Sequence, residues 1–176
     1  MRGFALFVAG TIVGLGVTAA AQSVSPNHRI VGLSFVGVSV PDLDKAVEYY
    51  TRTLGFPEAY RQLTAAGEPQ FVMVQVSKGT FIQLWPATAQ RPPGIEHFAL
   101  QVENLPAVTA MLKERGAAVG EVTFNKTTKM DHANLTDLNG IRMELIELPP
   151  ESPPGQAMAD RSIAHQAARG WKLARS

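Results

Sequence analysis

Apolar and polar positions along this chain fall into short blocks whose period switches between two and about three and a half. Val36, Val38 and Val40 alternate with Phe35, Gly37 and Ser39, the signature of a strand with two different faces, so Leu33 to Val40 is expected to be extended. Asp42 then caps a helix whose buried stripe is Leu43, Val47, Tyr50 and Leu54, with Gly55 as its terminator. Three short strands come next, at Ala59 to Leu63, Phe71 to Val76 and Thr80 to Trp85, the last two joined by a tight turn at Lys78-Gly79. The cycle then starts again. Ile95 to Val102 is a strand, and Asn104 caps a helix with Pro106 in its first turn and Leu105, Val108, Met111 and Leu112 on its buried side; Gly116 ends it. Strands near Val119 to Phe124, Met130 to Thr136 and Ile141 to Leu148 complete the second cycle, with turn chemistry at Asp137-Leu-Asn-Gly140.

The two cycles are copies of one another. Gly32 to Val40 lies over Gly94 to Val102 at a shift of 62 positions, and Gly79 to Leu84 over Gly140 to Leu145 at a shift of 61. Two matches at nearly the same shift define a repeat. The fold class is therefore α+β, built from two βαβββ modules at 30–87 and 94–148 within a domain spanning 22–148. Thr88 to Pro93 links the modules. From Pro149 to Gly155 the chain has four prolines in seven residues, and 149–176 reads as a Pro-rich segment and tail with a short helix at Ala157 to Ala168. That helix packs on the domain, packs on a second subunit of a homodimer, or frays.

Residues 1–21 are set apart by pattern. Arg2, an uncharged apolar run from Gly3, and Ala19-Ala20-Ala21 before Gln22 have the layout of a secretory signal peptide. The run Phe4 to Val17 is shorter than the roughly 20 residues of a spanning helix. A periplasmic or secreted mature protein beginning near Gln22, with no stable membrane insertion, is the expectation; an N-terminal membrane anchor is its alternative. The chain has no cysteine, so neither disulfides nor a lipidated cysteine enter the account. A hydrophobic share of 45%, a charged share of 18% and a net charge of +1 fit a globular domain. No basic cluster argues for nucleic acid.

The order βαβββ–βαβββ, with Val36-Gly-Val-Ser-Val-Pro-Asp-Leu-Asp-Lys-Ala-Val47 opening the first module and Thr136-Asp-Leu-Asn-Gly-Ile-Arg-Met-Glu-Leu145 closing the second, resembles the vicinal-oxygen-chelate superfamily of glyoxalases, bleomycin-resistance proteins and extradiol dioxygenases. The resemblance implies mixed sheets wrapped around a cup, with metal ligands on the first and last strand of each module. Carried over by position, those sites are Phe35, Gln83, His97 and Glu144. Strand alternation agrees with the placement. It turns Phe35, Phe81, Gln83, Trp85, His97, Arg142 and Glu144 towards the cup, together with His132 and Asn134 of the Met130 to Thr136 strand. Phe35, Phe71, Met73, Phe81, Trp85, Asn134 and Arg142 are then candidate lining for a substrate pocket, and Arg142 pairs with Glu144 or with an anionic ligand. Tyr49 and Tyr50 read as helix packing.

Phe35 departs from the family pattern, because phenylalanine ligates nothing. His97, Glu144 and Gln83 remain as an incomplete donor set for a divalent ion such as Zn, Ni, Mn or Fe. Two functions stay open. In the first, a metal-assisted lyase, isomerase or dioxygenase acts on a small organic molecule, with Glu144 or His132 moving protons. In the second, a metal-free cup binds and sequesters a hydrophobic small molecule.

Overall fold

The computed structural model describes residues 30–161. The signal-peptide expectation for 1–21 and the end of the tail helix beyond 161 lie outside the described residues. Eleven-residue β1 (Ile30–Val40) leads into α1 (Leu43–Glu48), followed by β2 (Glu58–Leu63), β3 (Pro69–Ser77) and β4 (Thr80–Pro86). The second module repeats this with β5 (Gly94–Val102), α2 (Leu105–Glu114), β6 (Thr123–Asn125), β7 (Met130–Thr136) and β8 (Arg142–Ile146). All eight strands form one curled mixed sheet in the order β2-β3-β4-β1-β5-β8-β7-β6. β1 lies parallel to β4, β5 lies parallel to β8, and β1 and β5 meet antiparallel at the centre. The order reads the same outward from that centre in either direction, so the sequence repeat is a structural repeat. Both modules of the one chain line the same cup.

The two faces divide as the alternation requires. On the helix side, Val47 of α1 packs with Val72, Val74 and Leu84, and Val38, Val40 and Ile82 border them. Leu105 and Val108 of α2 pack with Val102, Ala133 and Leu145. Each such fully buried aliphatic side chain contributes about 1.5–3 kcal/mol. On the cup side, Phe35, Met73, Phe81, Ala99 and Ile146 form a third cluster. Local chemistry fixes the helix starts. Asp42 accepts from the Lys45 amide at 3.0 Å, and Asn104 accepts from the Ala107 amide at 3.2 Å. Glu147, just beyond β8, adds a second acceptor at the start of α2, 3.0 Å from the Leu105 amide.

The first helix is not the continuous α-helix its spacing predicts. Residues Tyr49–Thr53 form a π-helical turn. The Thr51 hydroxyl donates to the Val47 carbonyl at 2.7 Å, competing for the acceptor that an α-helical amide would use. Leu54, which follows the wider turn and is expected in the buried stripe, is 42% exposed, and Tyr49 at the start of the turn is 52% exposed, leaving Tyr50 to pack with Phe56. The strand expected near Val119 to Phe124 is broken, with an isolated bridge Val119↔Leu135 and a three-residue β6. The last strand starts at Arg142 rather than Ile141, whose side chain is half exposed.

Beyond β8 the Pro-rich segment folds back. The Ser152 hydroxyl accepts from the Gly155 amide at 3.2 Å, and prolines 153 and 154 occupy the first helical positions, where a missing N–H costs nothing. The resulting helix α3, residues 153–161, lays Ala157 and Met158 against the cup-side cluster. Gln75 ties it down, donating to the Ala157 carbonyl at 3.2 Å, while Arg161 donates to the Gln75 carbonyl at 3.0 Å. Of the three fates open to this helix, packing on its own domain is the one observed for its described residues, which end at Arg161. Among the described residues no helix is long and apolar enough to cross a membrane.

Candidate functional site

The cross-strand register sets the centre of the cup. Phe35 pairs with Ala99 and Gly37 pairs with His97, so each bulky side chain faces a small residue of the other module. A Cβ on Gly37 would stand 2.6 Å from His97 Nδ1; only glycine lets the imidazole rest against the backbone here. Phe35 meets the same ring edge-on, with centroids 5.6 Å apart. Gln83 is the other neighbour of Gly37, across the parallel β1–β4 pair, and Glu144 lies beside Ala99 on β8.

His97 is almost fully buried and its two nitrogens are distinguishable. Arg142 Nη2 stands 2.9 Å from Nδ1. A guanidinium only donates, so Nδ1 accepts and the neutral ring carries its proton on Nε2. Burial first, then the positive charges of Arg142 and Arg91, push the His97 pKa down to about 4. Its Nε2 lies 3.5 Å from Glu144 Oε1, a contact of a neutral ring with a carboxyl group rather than an ion pair. Burial raises the Glu144 pKa, against the opposing pull of Arg142 and His132 and with some help from Glu96. Burial, and then the Glu144 carboxylate, also raise the Tyr60 phenol.

The cup opens as a cavity of about 700 Å³, counting its solvent-facing mouth, lined by residues of both modules. Phe35, Phe71, Met73, Trp85, Met130 and Ile146 supply apolar wall; Tyr60, Gln83, His132 and Glu144 supply polar groups. Three lining residues hold buried polar atoms with no hydrogen-bond partner in the protein, Tyr60 Oη, Gln83 Oε1 and Trp85 Nε1, and so does His97, whose Nε2 lies behind the lining residue Glu144. His132 Nε2 is 3.1 Å from Thr123 Oγ1, which holds its ring at the rim. The structure sets three of the expected lining residues apart. Phe81 is wholly buried beneath the cavity in the core cluster, Asn134 is exposed, and Arg142 turns to His97.

Three residues at the site escape a sequence reading. A register shift between Gly37 and Val38 leaves Glu96 as an extra residue of β5, a bulge that re-aims its side chain. Strict alternation sends Glu96 to the helix side; instead its carboxylate lies 3.2 Å from Arg142 Nη2 and 3.9 Å from Arg91 Nη1. Arg91 itself comes from the linker and lies 4.4 Å over the Trp85 ring. The partner of Arg142 is therefore Glu96 together with His97, and Glu144 is the more distant carboxylate at 3.9 Å. Tyr60 is the third, carried to the cup by β2. A bulge leaves no compositional trace, and nothing in the sequence signals these contacts.

The family model of the Glyoxalase/Bleomycin resistance protein/Dioxygenase superfamily matches residues 32–145. The chain belongs to this superfamily. Solved structures agree on the fold. Methylmalonyl-CoA epimerase from Mycobacterium tuberculosis superposes with a TM-score of 0.60 at 24% identity, covering 74% of this chain and 95% of that one. The Streptomyces coelicolor methylmalonyl-CoA epimerase in complex with 2-nitronate-propionyl-CoA gives 0.57 at 20% identity, covering 70% and 99%. A hypothetical protein from Bacillus halodurans gives 0.57 at 17%, covering 68% and 96%. No curated protein matches the chain.

Superfamily membership brings a divalent ion into question at Phe35, Gln83, His97 and Glu144. Among the described residues, no group of three or more His, Cys, Asp or Glu side chains is arranged to hold one. The donor chemistry points the same way. Phe35 offers nothing and Gln83 only a neutral amide. Both nitrogens of His97 are committed, Nδ1 to Arg142 and Nε2 to its own proton, and a guanidinium stands beside the ring. As arranged, these residues do not fit a resident metal.

Proposed function

We propose that this protein binds a small, planar organic molecule in the cup without a resident metal, through an oxygen that both accepts and donates a hydrogen bond. A phenol or an enol has that character; an ionised carboxylate does not. One observation carries the reading: three residues that line an open cavity, Tyr60, Gln83 and Trp85, hold buried polar atoms without partners. Leaving such atoms unsatisfied costs about 1–3 kcal/mol each, and a ligand supplies the partners that the protein lacks. His97 Nε2–H, Tyr60 O–H and Trp85 N–H are donors, while Gln83 Oε1 and Glu144 are acceptors. An anion beside Glu144 meets a like charge. A hydroxyl instead accepts from His97 and donates to Glu144. Phe71 and Trp85, with ring centroids 4.7 Å apart, offer aromatic surface for a flat ligand.

Glu144 is the group suited to hold and move a proton, since it lines the cavity and burial raises its pKa. His132 is the second proton carrier in this proposal, at the rim of the same cavity. A metal-assisted lyase, isomerase or dioxygenase is the second reading. The 3.5 Å separation of His97 Nε2 and Glu144 Oε1 favours it, and it requires the imidazole to give up its Nε2 proton.

Titrations of the full chain with catechol, benzoate and propionyl-CoA, followed by nuclear magnetic resonance, test the hydroxyl reading. Catechol is expected to move the Trp85 indole N–H and the His97 ring resonances at millimolar concentration, and Tyr60→Phe to weaken that response. Benzoate is expected to bind at least tenfold more weakly. A response to benzoate equal to that of catechol, or no catechol response at all, overturns the hydroxyl proposal. A response to propionyl-CoA alone points to the acyl-CoA chemistry of the neighbours.

A further inference from the structure

We infer that Arg142 is the residue that decides between metal and organic ligand in this cup, by fixing the tautomer of His97, with Glu96 as the group that aims it. The inference is independent of which organic molecule fills the cavity. Three placements carry it. Arg142 Nη2 lies 2.9 Å from His97 Nδ1, the same guanidinium nitrogen lies 3.2 Å from Glu96 Oε1, and His97 Nε2 is buried without a hydrogen-bond partner. Arginine has no acceptor and does not lose its proton in proteins. Its hydrogen bond therefore holds Nδ1 as a lone pair and leaves the single ring proton on Nε2, the nitrogen that faces Glu144.

A metal approaching Nε2 needs a lone pair there. To supply one, the proton must move to Nδ1, where it would point at the Arg142 N–H. The alternative, removal of the proton to give an imidazolate, is far outside the range of a histidine in water. Arg142 also leaves a positive charge next to any cation at Nε2, and Phe35 withholds the fourth donor. Glu96 holds the reverse arrangement in reserve. Its second carboxylate oxygen is 3.9 Å from His97 Nδ1, and a side-chain shift of about 1 Å would let it accept an Nδ1–H once the guanidinium is gone. A carboxylate behind a histidine in that manner favours metal ligation through Nε2. The bulge at Glu96 thus places beside one ring nitrogen both the carboxylate that would prepare it for a metal and the arginine that prevents this.

The wild-type full chain gives the first test without any substitution. Long-range ¹⁵N–¹H spectra at neutral pH are expected to show His97 protonated on Nε2. Protonation on Nδ1 overturns the inference outright. Zinc titrations by calorimetry then compare wild type, Phe35→His, Arg142→Leu and the double variant. Phe35→His alone is expected to bind no more than marginally better than wild type. Adding Arg142→Leu is expected to tighten zinc binding about 10–100-fold relative to Phe35→His, with the His97 proton moved to Nδ1. Arg142→Lys retains a donor that has no acceptor, so it should keep the Nε2–H tautomer and stay closed to zinc. If Phe35→His binds zinc as tightly as the double variant, or if Arg142→Lys behaves like Arg142→Leu, Arg142 is not the determinant.

Discussion

Gly37 and His97 are cross-strand partners at the seam between the two modules, and the imidazole occupies the volume that any side chain at position 37 would need. The repeat makes this pair the counterpart of Ala99 and Phe35, one small and one large residue in each, so the two modules interlock at the floor of the cup. The small partner is a condition of the site and not an incidental glycine.

Gly37→Ala tests that interlock. A methyl group meets the ring at less than van der Waals distance, and overpacking of this kind costs roughly 1–3 kcal/mol. Chemical denaturation should show a loss in that range. The His97 ring signals should shift as well, because the imidazole must leave its place against β1. A variant with unchanged stability and unchanged His97 signals would show that the ring does not rest on Gly37.

The titration of His97 gives stability a pH dependence of known sign. Unfolded, the ring takes up a proton near its ordinary value of 6.5; folded, it does so only at about 4. Between those values the unfolded chain binds more protons, so stability is complete above 6.5 and falls as pH drops towards 4, by at most about 3 kcal/mol. Glu144 works oppositely: its raised folded pKa lets the folded chain bind the extra proton, and stability from this group falls as pH rises past 4.5. Comparing urea denaturation of wild type with His97→Phe between about pH 4 and 7 isolates the histidine. The difference between the two should shrink on acidification, as the wild type alone loses the histidine contribution. A pH-independent difference would contradict the assignment.

Helix α3 is expected to contribute to the stability of the cup. Ser152→Ala removes the N-cap acceptor of the Gly155 amide and should lower stability by about 1 kcal/mol. Met158→Ala removes a side chain packed on the Phe35–Phe81 cluster and should cost more than the cap. Thermal melts of both variants check the ranking, and an unchanged melt for Met158→Ala would mean that α3 is not docked in solution.

Export remains a proposal resting on Arg2, the apolar run after it and Ala19-Ala20-Ala21. Intact mass of the protein made in its native host is expected to correspond to a chain beginning near Gln22. Recovery of a soluble cytoplasmic form still carrying Met1 would defeat it.

The sequence by itself determined the modules, the repeat and the face on which nearly every strand residue stands. A two-residue period assigns faces without knowledge of partners, and two modules that match at shifts of 62 and 61 constrain each other. Hence Phe35, Gln83, His97 and Glu144 stand on the cup side as alternation requires. Only the tertiary structure decided how those residues are used. The bulge at Glu96 reverses one side chain against the alternation, and Thr51 widens a helix that the apolar spacing presents as regular. Arg91 crosses from the linker to Trp85, and α3 returns over the cup. The chemistry of His97 comes from Arg142, 45 positions further along the chain, touching one ring nitrogen and leaving the other protonated. Period and composition describe a residue's own environment along the strand. A tautomer is set by a donor that arrives through space, and no local pattern encodes it.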